Sequence, residues 1–432
     1  MQIIWLGLLV EIFILALLQP LIDDFEGTAI LAVLIHVVFT TIILLSNFKN
    51  KLFKSLFFLA FLLRVICLFW DSYVFYLPHS GADTEAFYRQ ALFFSQDILN
   101  LSDDGELYTK ITGILFYVIG PQRLFGQYIN TLLGLSVVLF IHKILVQLEV
   151  SPKITKLAIS IAAFFPNSLF MSAIFLREMF PTFFVVASAF YFIRWFKSDR
   201  IINMILSFLA IGLASSFHAG VIGFIVGYAL VFIFYQKNKD SYTFSPKSVV
   251  IFVLITMLFS AGFTLFADVL LVKFRNVDEM SDIYSIANAR LGDSAYLENL
   301  TINNPIELIV YGPIKSFFFL TMPLPMYWRG FMDIFAFIFD SSIYLGAIIY
   351  LVRYRKKFGH RRTLVMGLVL ALLGSVIIFG VGVTNAGTAV RHRQKLMPFV
   401  LVTLAVMMDG VSSTLPKRHA QDIRYSPSLN KR

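Results

Sequence analysis

An all-α, polytopic transmembrane helical bundle is the fold class that this sequence predicts, and three observations predict it. Of 432 residues, 58% are hydrophobic and only 14% are charged, against about 25% charged in water-soluble domains. Runs of roughly 18 to 24 apolar residues, each long enough to cross a bilayer as a helix, follow one another along nearly the whole chain. Basic loops recur at every second turn between the runs, the pattern that orients a multi-pass protein. Those loops largely account for the net charge of +10, so nucleic acid is not implied as a partner. The single cysteine, Cys67, rules out a disulfide within the chain.

Apolar runs begin near Ile3, Thr28, Phe53, Gly126, Ile154, Met179, Ile201, His218, Ser248, Gly330, Thr363 and Leu396, which makes about twelve spans. The first lacks the basic flank and small-residue cleavage site of a signal peptide and reads as a retained span. Lys49, Lys51 and Lys54, then Lys153 and Lys156, Arg194 to Arg200, Lys237 to Lys247 and Arg353 to Arg362 mark the cytoplasmic face. Parity then puts both termini inside. Two shorter stretches, near 109–121 and 306–325, read as interfacial or re-entrant helices, because one is too short to cross and Gly312, Pro313 and Pro323 interrupt the other. The expected organisation is one transmembrane domain over 1–411, with outer loops at 73–108 and 274–305, followed by a basic cytoplasmic tail over 412–432.

The outer face carries the chemistry. Asp83 and Glu85 stand two residues apart in the first outer loop, where Asp83 reads as a general base or a metal ligand, or Asp83 or Thr84 as a helix cap. Arg177 and Glu178 interrupt an apolar stretch and are either ligand-orienting groups or a solvated hairpin tip. His218 at another outer hairpin is a ligand contact or a structural hydrogen-bond partner. Arg64, inside the third run, needs a cavity, a partner or a snorkelling path. The cluster Arg391, His392, Arg393 and Lys395 breaks the rule that governs every other basic cluster. Two arginines at i and i+2 beside a Gly-containing loop can clamp a phosphate; the plainer alternative is an anionic lipid headgroup. No Walker A loop, CxxC or HExxH is present, which speaks against an ATP-driven pump and a built-in zinc or haem site.

Three segments resemble the polytopic, lipid-phosphate-sugar glycosyltransferases of the GT-C class, which includes protein O-mannosyltransferases and aminoarabinose transferases (family 39). Gly81 to Tyr88 is similar to the acidic motif of the first outer loop, Tyr108 to Asn130 to the interfacial helix and the span after it, and Pro166 to Glu178 to a proline-led span ending in Glu. Asn385 to Pro398 resembles the Arg-containing approach to the last span in related polysaccharide-assembly proteins. The likeness covers about half the chain. It departs in having more than one span before the acidic loop and in lacking a soluble C-terminal domain.

The resemblance implies Asp83 as catalytic base, Glu178 as organiser of the site, and Arg391 and Arg393 as holders of the phosphate of a polyprenyl-phosphate sugar. Glu85, Arg177, His218, His392 and Lys395 complete the expected substrate-binding set. No cofactor is required, and a divalent metal is compatible with the oxygens of Asp83 and Glu85. The expected partners are the lipid-linked donor, a glycan, lipid or protein acceptor, and membrane lipid, in a bacterial cytoplasmic membrane. A polymerase of lipid-linked repeat units and a flippase of lipid-linked saccharide are the alternatives.

Overall fold

The computed structural model describes residues 1–98, 105–246, 248–250, 252–254, 257, 280–289, 292 and 294–414. Its helices are α1 (Gln2–Leu18), α2 (Phe25–Asn47), α3 (Lys51–Tyr73), α4 (Ala82–Gln96), α5 (Leu107–Ile119), α6 (Arg123–Gln147), α7 (Pro152–Phe164), α8 (Pro166–Met171), α9 (Met179–Ser198), α10 (Ile201–Phe217) and α11 (Gly223–Phe234). They continue with α12 (Met280–Asn288), α13 (Pro305–Thr321), α14 (Phe331–Tyr354), α15 (Arg362–Gly382), α16 (Ala386–Arg393) and α17 (Met397–Thr414). A two-residue antiparallel pair, Tyr235–Gln236 with Ser241–Tyr242, closes the turn after α11.

Among the described residues, eight helices are long and apolar enough to cross a membrane, fewer than the twelve runs expected. The run from Ile154 is broken in two, because Pro166 cannot continue α7 and instead opens α8. The runs from Ile201 and His218 form shorter helices. Much of the run from Ser248 and parts of the loops at 274–305 and 73–108 lie outside the described residues. So does the tail beyond Thr414, and α17 extends past the expected boundary at 411. The stretches near 109–121 and 306–325 do form helices, α5 and α13, and Pro313 lies inside the second.

Local chemistry explains where the helices start. Asp24, Asn50 and Asn385 each accept a backbone N–H of the first turn that follows, capping α2, α3 and α16. Helix α6 is the hub: it packs on α2, α3, α7, α9 and α17 and is buried along most of its length. On the other side, α11 lies so close to α15 that a Cβ on Gly223 or Gly374 would collide with the facing backbone, the small-residue contact by which helices approach in an apolar solvent.

The break at Pro166 leaves carbonyls of α7 without helical partners, and Arg64 meets them. Its guanidinium donates to the carbonyls of Ala60 (2.9 Å), Ala163 (3.0 Å) and Ala162 (3.3 Å) and to Ser168 Oγ (3.3 Å). A fully buried arginine therefore serves the backbone here.

Candidate active site

Asp83 sits in the first turn of α4. The helix is capped by its neighbour: Thr84 Oγ1 accepts from the Gly81 N–H (3.0 Å) and donates to the Gly81 carbonyl (2.8 Å). Asp83 is thus released from capping, and its side chain is 58% exposed. The chain enters α4 through a tight turn in which Leu77 N–H donates to Asp71 Oδ1 (2.9 Å) and His79 and Gly81 adopt φ of +71° and +118°.

Glu178 arrives from the opposite wall. Between α8 and α9 the chain from Ser172 to Glu178 is irregular yet buried, and α6 satisfies its backbone. Asn130 donates to the carbonyls of Ile174 and Leu176 (both 2.8 Å), Gln127 to Ala173 (3.2 Å) and Thr131 to Ser172 (3.0 Å). Glu178 is completely buried and Arg177 is 8% exposed, so the solvated-tip alternative does not hold. Asn167 of α8 donates to the Val390 carbonyl (3.0 Å), tying this wall to α16.

The third component is α16 and the turn after it. Arg391 bridges the two carboxylates: Nε donates to Glu178 Oε1 (2.7 Å) and Nη1 pairs with Asp83. Lys395, one helical turn further on, is fully buried and pairs with the other oxygen of Glu178. Its ammonium also meets His392 Nδ1 at 3.0 Å, and the His392 ring lies 4.5 Å from that of His218. Asp83, Glu178, Arg391, His392, Lys395 and His218 therefore converge from α4, α9, α16 and the turn after α10. Arg177 stands beside them, paired with Glu106 and lying over the Phe87 ring.

Burial alone would push Glu178 up, but Lys395 first and Arg391 next outweigh it and hold its carboxyl well below the usual carboxylate range. Burial lowers Lys395 to about 8 against the opposing pull of Glu178, which leaves it protonated at neutral pH. Burial and the neighbouring Lys395 keep His218 neutral. Two carboxylates and two cations thus balance at the centre.

Two expected members lie elsewhere, for one geometric reason. Residues two apart on an α-helix are about 200° apart around the axis. Helix α16 turns Arg393 away from Arg391 into a closed pocket, where it pairs with Asp340 and donates to the Phe319 carbonyl (2.8 Å) and Ser341 Oγ (3.1 Å). The paired clamp assumed a loop, and a helix forms instead. Likewise α4 turns Glu85 away from Asp83 to Arg123 (2.6 Å) and Tyr76 (3.3 Å). Asp83 and Glu85 consequently do not converge as a metal-ligand pair. Among the described residues no group of three or more His, Cys, Asp or Glu is placed to hold a metal ion.

Two cavities flank α16 and the start of α4. A polar one of about 840 Å³ is lined by Asp83, Arg391, His392, Arg177 and Glu106, with Phe87 and Phe93 as aromatic walls. A largely apolar one of about 600 Å³ lies on the other side of the α4 entry turn, between it, α8, α14 and α16. Its wall includes Phe75, Phe170, Phe335 and Phe339, and the rim residues Phe75 and Met332 are 65% and 66% exposed. Sequence reasoning did not single out Glu106, Asp340 or His79 as site residues. The acidic character of Glu106, within the segment 73–108, was a usable signal; the burial of Asp340 against Arg393 had none.

No known family model matches the chain, and no curated protein or solved structure matches it.

Proposed function

We propose that this chain is a membrane glycosyltransferase that moves a sugar from a polyprenyl-phosphate carrier to an acceptor on the extracytoplasmic face, in cell-surface glycan assembly. The observation that carries this reading is the shared wall: Asp83 and its partner Arg391 face a polar cavity, and an apolar cavity adjoins it across α16 and the α4 entry turn. In the reaction, the acceptor hydroxyl oxygen forms a bond to the anomeric carbon as the bond to the phosphate oxygen breaks. Asp83 takes the hydroxyl proton, and the phosphate leaves with its charge stabilised by Arg391. Glu178 and Lys395 hold Arg391 in place, and Arg177 with Phe87 offers the acceptor a polar contact and an aromatic face.

The same reading includes about twelve spans, cytoplasmic termini and residence in a bacterial cytoplasmic membrane. Basic-loop parity supports it. A cysteine at position 83 in a Cys67→Ser background should react with impermeant thiol reagents from outside; reaction only after the inner face is opened would end the site assignment.

The functional test is mass spectrometry of lipid-linked saccharides in a deletion strain, together with transfer from a synthetic polyprenyl-phosphate sugar by the purified protein. An accumulated monosaccharide carrier is expected, and Asp83→Asn should lower transfer by about 10²-fold or more. An accumulated repeat unit would favour a polymerase, and near-parental transfer by Asp83→Asn would remove the base.

A further inference from the structure

We infer that His79 is a substrate contact, donating a hydrogen bond to the donor phosphate from the membrane side of the site. This rests on the transferase reading above and adds a residue to it. Three independent observations lead there.

The first is position. His79 lines the apolar cavity, yet its ring lies within electrostatic reach of Arg391, Glu178 and Asp83. It therefore occupies the wall between the compartment suited to an isoprenoid chain and the one that holds the charged centre. A phosphate carried on such a chain has to sit at that wall, with Arg391 on one side and His79 on the other.

The second is backbone strain. A side-chain-bearing residue at φ +71° occupies the left-handed region, which costs roughly 1–2 kcal/mol relative to glycine. The surrounding turn enforces it: Asp71 holds the Leu77 N–H, Ser80 N–H donates to the Leu77 carbonyl (2.9 Å), and Thr84 grips both backbone groups of Gly81. A turn needed only to reverse the chain would be more stable with glycine at 79. Strain of this kind, held by its neighbours, points to a task for the side chain.

The third is charge. Arg391 and Lys395 already supply positive charge at the centre, so a further contact to an arriving phosphate needs only an N–H donor. Burial first, and Arg391 next, pull the imidazole down to about 4. His79 is therefore neutral at physiological pH and offers one N–H.

The test compares the parent with His79→Gly and His79→Asn as full-length protein in nanodiscs, measuring the unfolding midpoint and the binding of undecaprenyl phosphate and of uncharged undecaprenol. His79→Gly should be at least as stable as the parent, bind undecaprenyl phosphate about 10-fold more weakly, and bind undecaprenol unchanged. His79→Asn, which tolerates the left-handed conformation and keeps a donor, should recover part of the phosphate affinity. Undecaprenyl phosphate binding by His79→Gly within twofold of a binding-competent parent overturns the assignment and leaves the transferase reading standing. A parent that binds no undecaprenyl phosphate overturns both. A destabilised His79→Gly overturns it too, because the turn would then need the histidine for folding.

Discussion

Replacing Arg393 should damage the fold and spare the ligand site, the reverse of replacing Arg391. The Arg393 side chain is 0% exposed and that of its partner Asp340 3%, and the guanidinium also serves the Phe319 carbonyl and Ser341 Oγ. In Arg393→Met the carboxylate of Asp340 stays behind in a closed pocket without its cation, and breaking a buried pair from one side costs about 3–5 kcal/mol. Removing both charges with Arg393→Met/Asp340→Leu leaves no orphan, so the double variant should return to within about 1–2 kcal/mol of the parent. The four proteins form a double-mutant cycle, read by reversible denaturant titration in detergent, with undecaprenyl phosphate binding measured on each under folding conditions. Binding should be unchanged in Arg393→Met, because Arg393 lines neither cavity, whereas Asp340 borders the apolar one and its replacement alters that wall directly. An Arg393→Met protein as stable as the parent would refute the argument, as would a double variant no better than the sum of the two single losses.

Glu178→Gln should lower stability at pH 7 by about 3–5 kcal/mol, since it leaves Lys395 and one arm of Arg391 uncompensated. The folded carboxyl lies below its ordinary value, so its contribution is present above about pH 4.3 and disappears as pH falls through the depressed value. Unfolding midpoints of parent and variant should therefore converge in acid, and a constant gap from pH 7 to pH 3 would count against the ion cluster. Arg64→Met should cost about 3 kcal/mol or more by stranding the carbonyls of Ala162 and Ala163. Arg64→Lys should restore only part of that, because one ammonium cannot serve every acceptor; parental folded yield and midpoint in Arg64→Met would sink this account.

The helical class was legible because long apolar runs leave no other soluble or membrane architecture open to them. Asp83, Glu178, Arg391 and Lys395 were all named before their contacts were known. What failed was local geometry. Arg391 and Arg393 looked equivalent because the sequence around Gly387 read as a loop, and Glu85 looked like a second member of the Asp83 pair for the same reason. In each case a helix of a few turns decided which of two similar side chains faces the centre. The single span expected from Ile154 gave way to a break at Pro166, and only the fold reveals that Arg64 is the group that makes this break tolerable.

That break has a mechanical consequence. A proline interruption inside a bundle ordinarily provides a hinge, but here every joint around it is pinned. Arg64 grips the end of α7, Asn130, Gln127 and Thr131 grip the segment from Ser172 to Leu176, and Asn167 fastens α8 to Val390. The wall that bears Glu178 behaves as a fixed jaw. The opposite wall is α14, whose π-helical turn at Phe337–Ser341 is pinned as well, because Arg393 holds Asp340 and Ser341 Oγ and Ser341 in turn donates to the Met322 carbonyl. The cavity between these two walls is therefore braced from both sides, and the same contacts fix the spacing between Glu178 and Arg391.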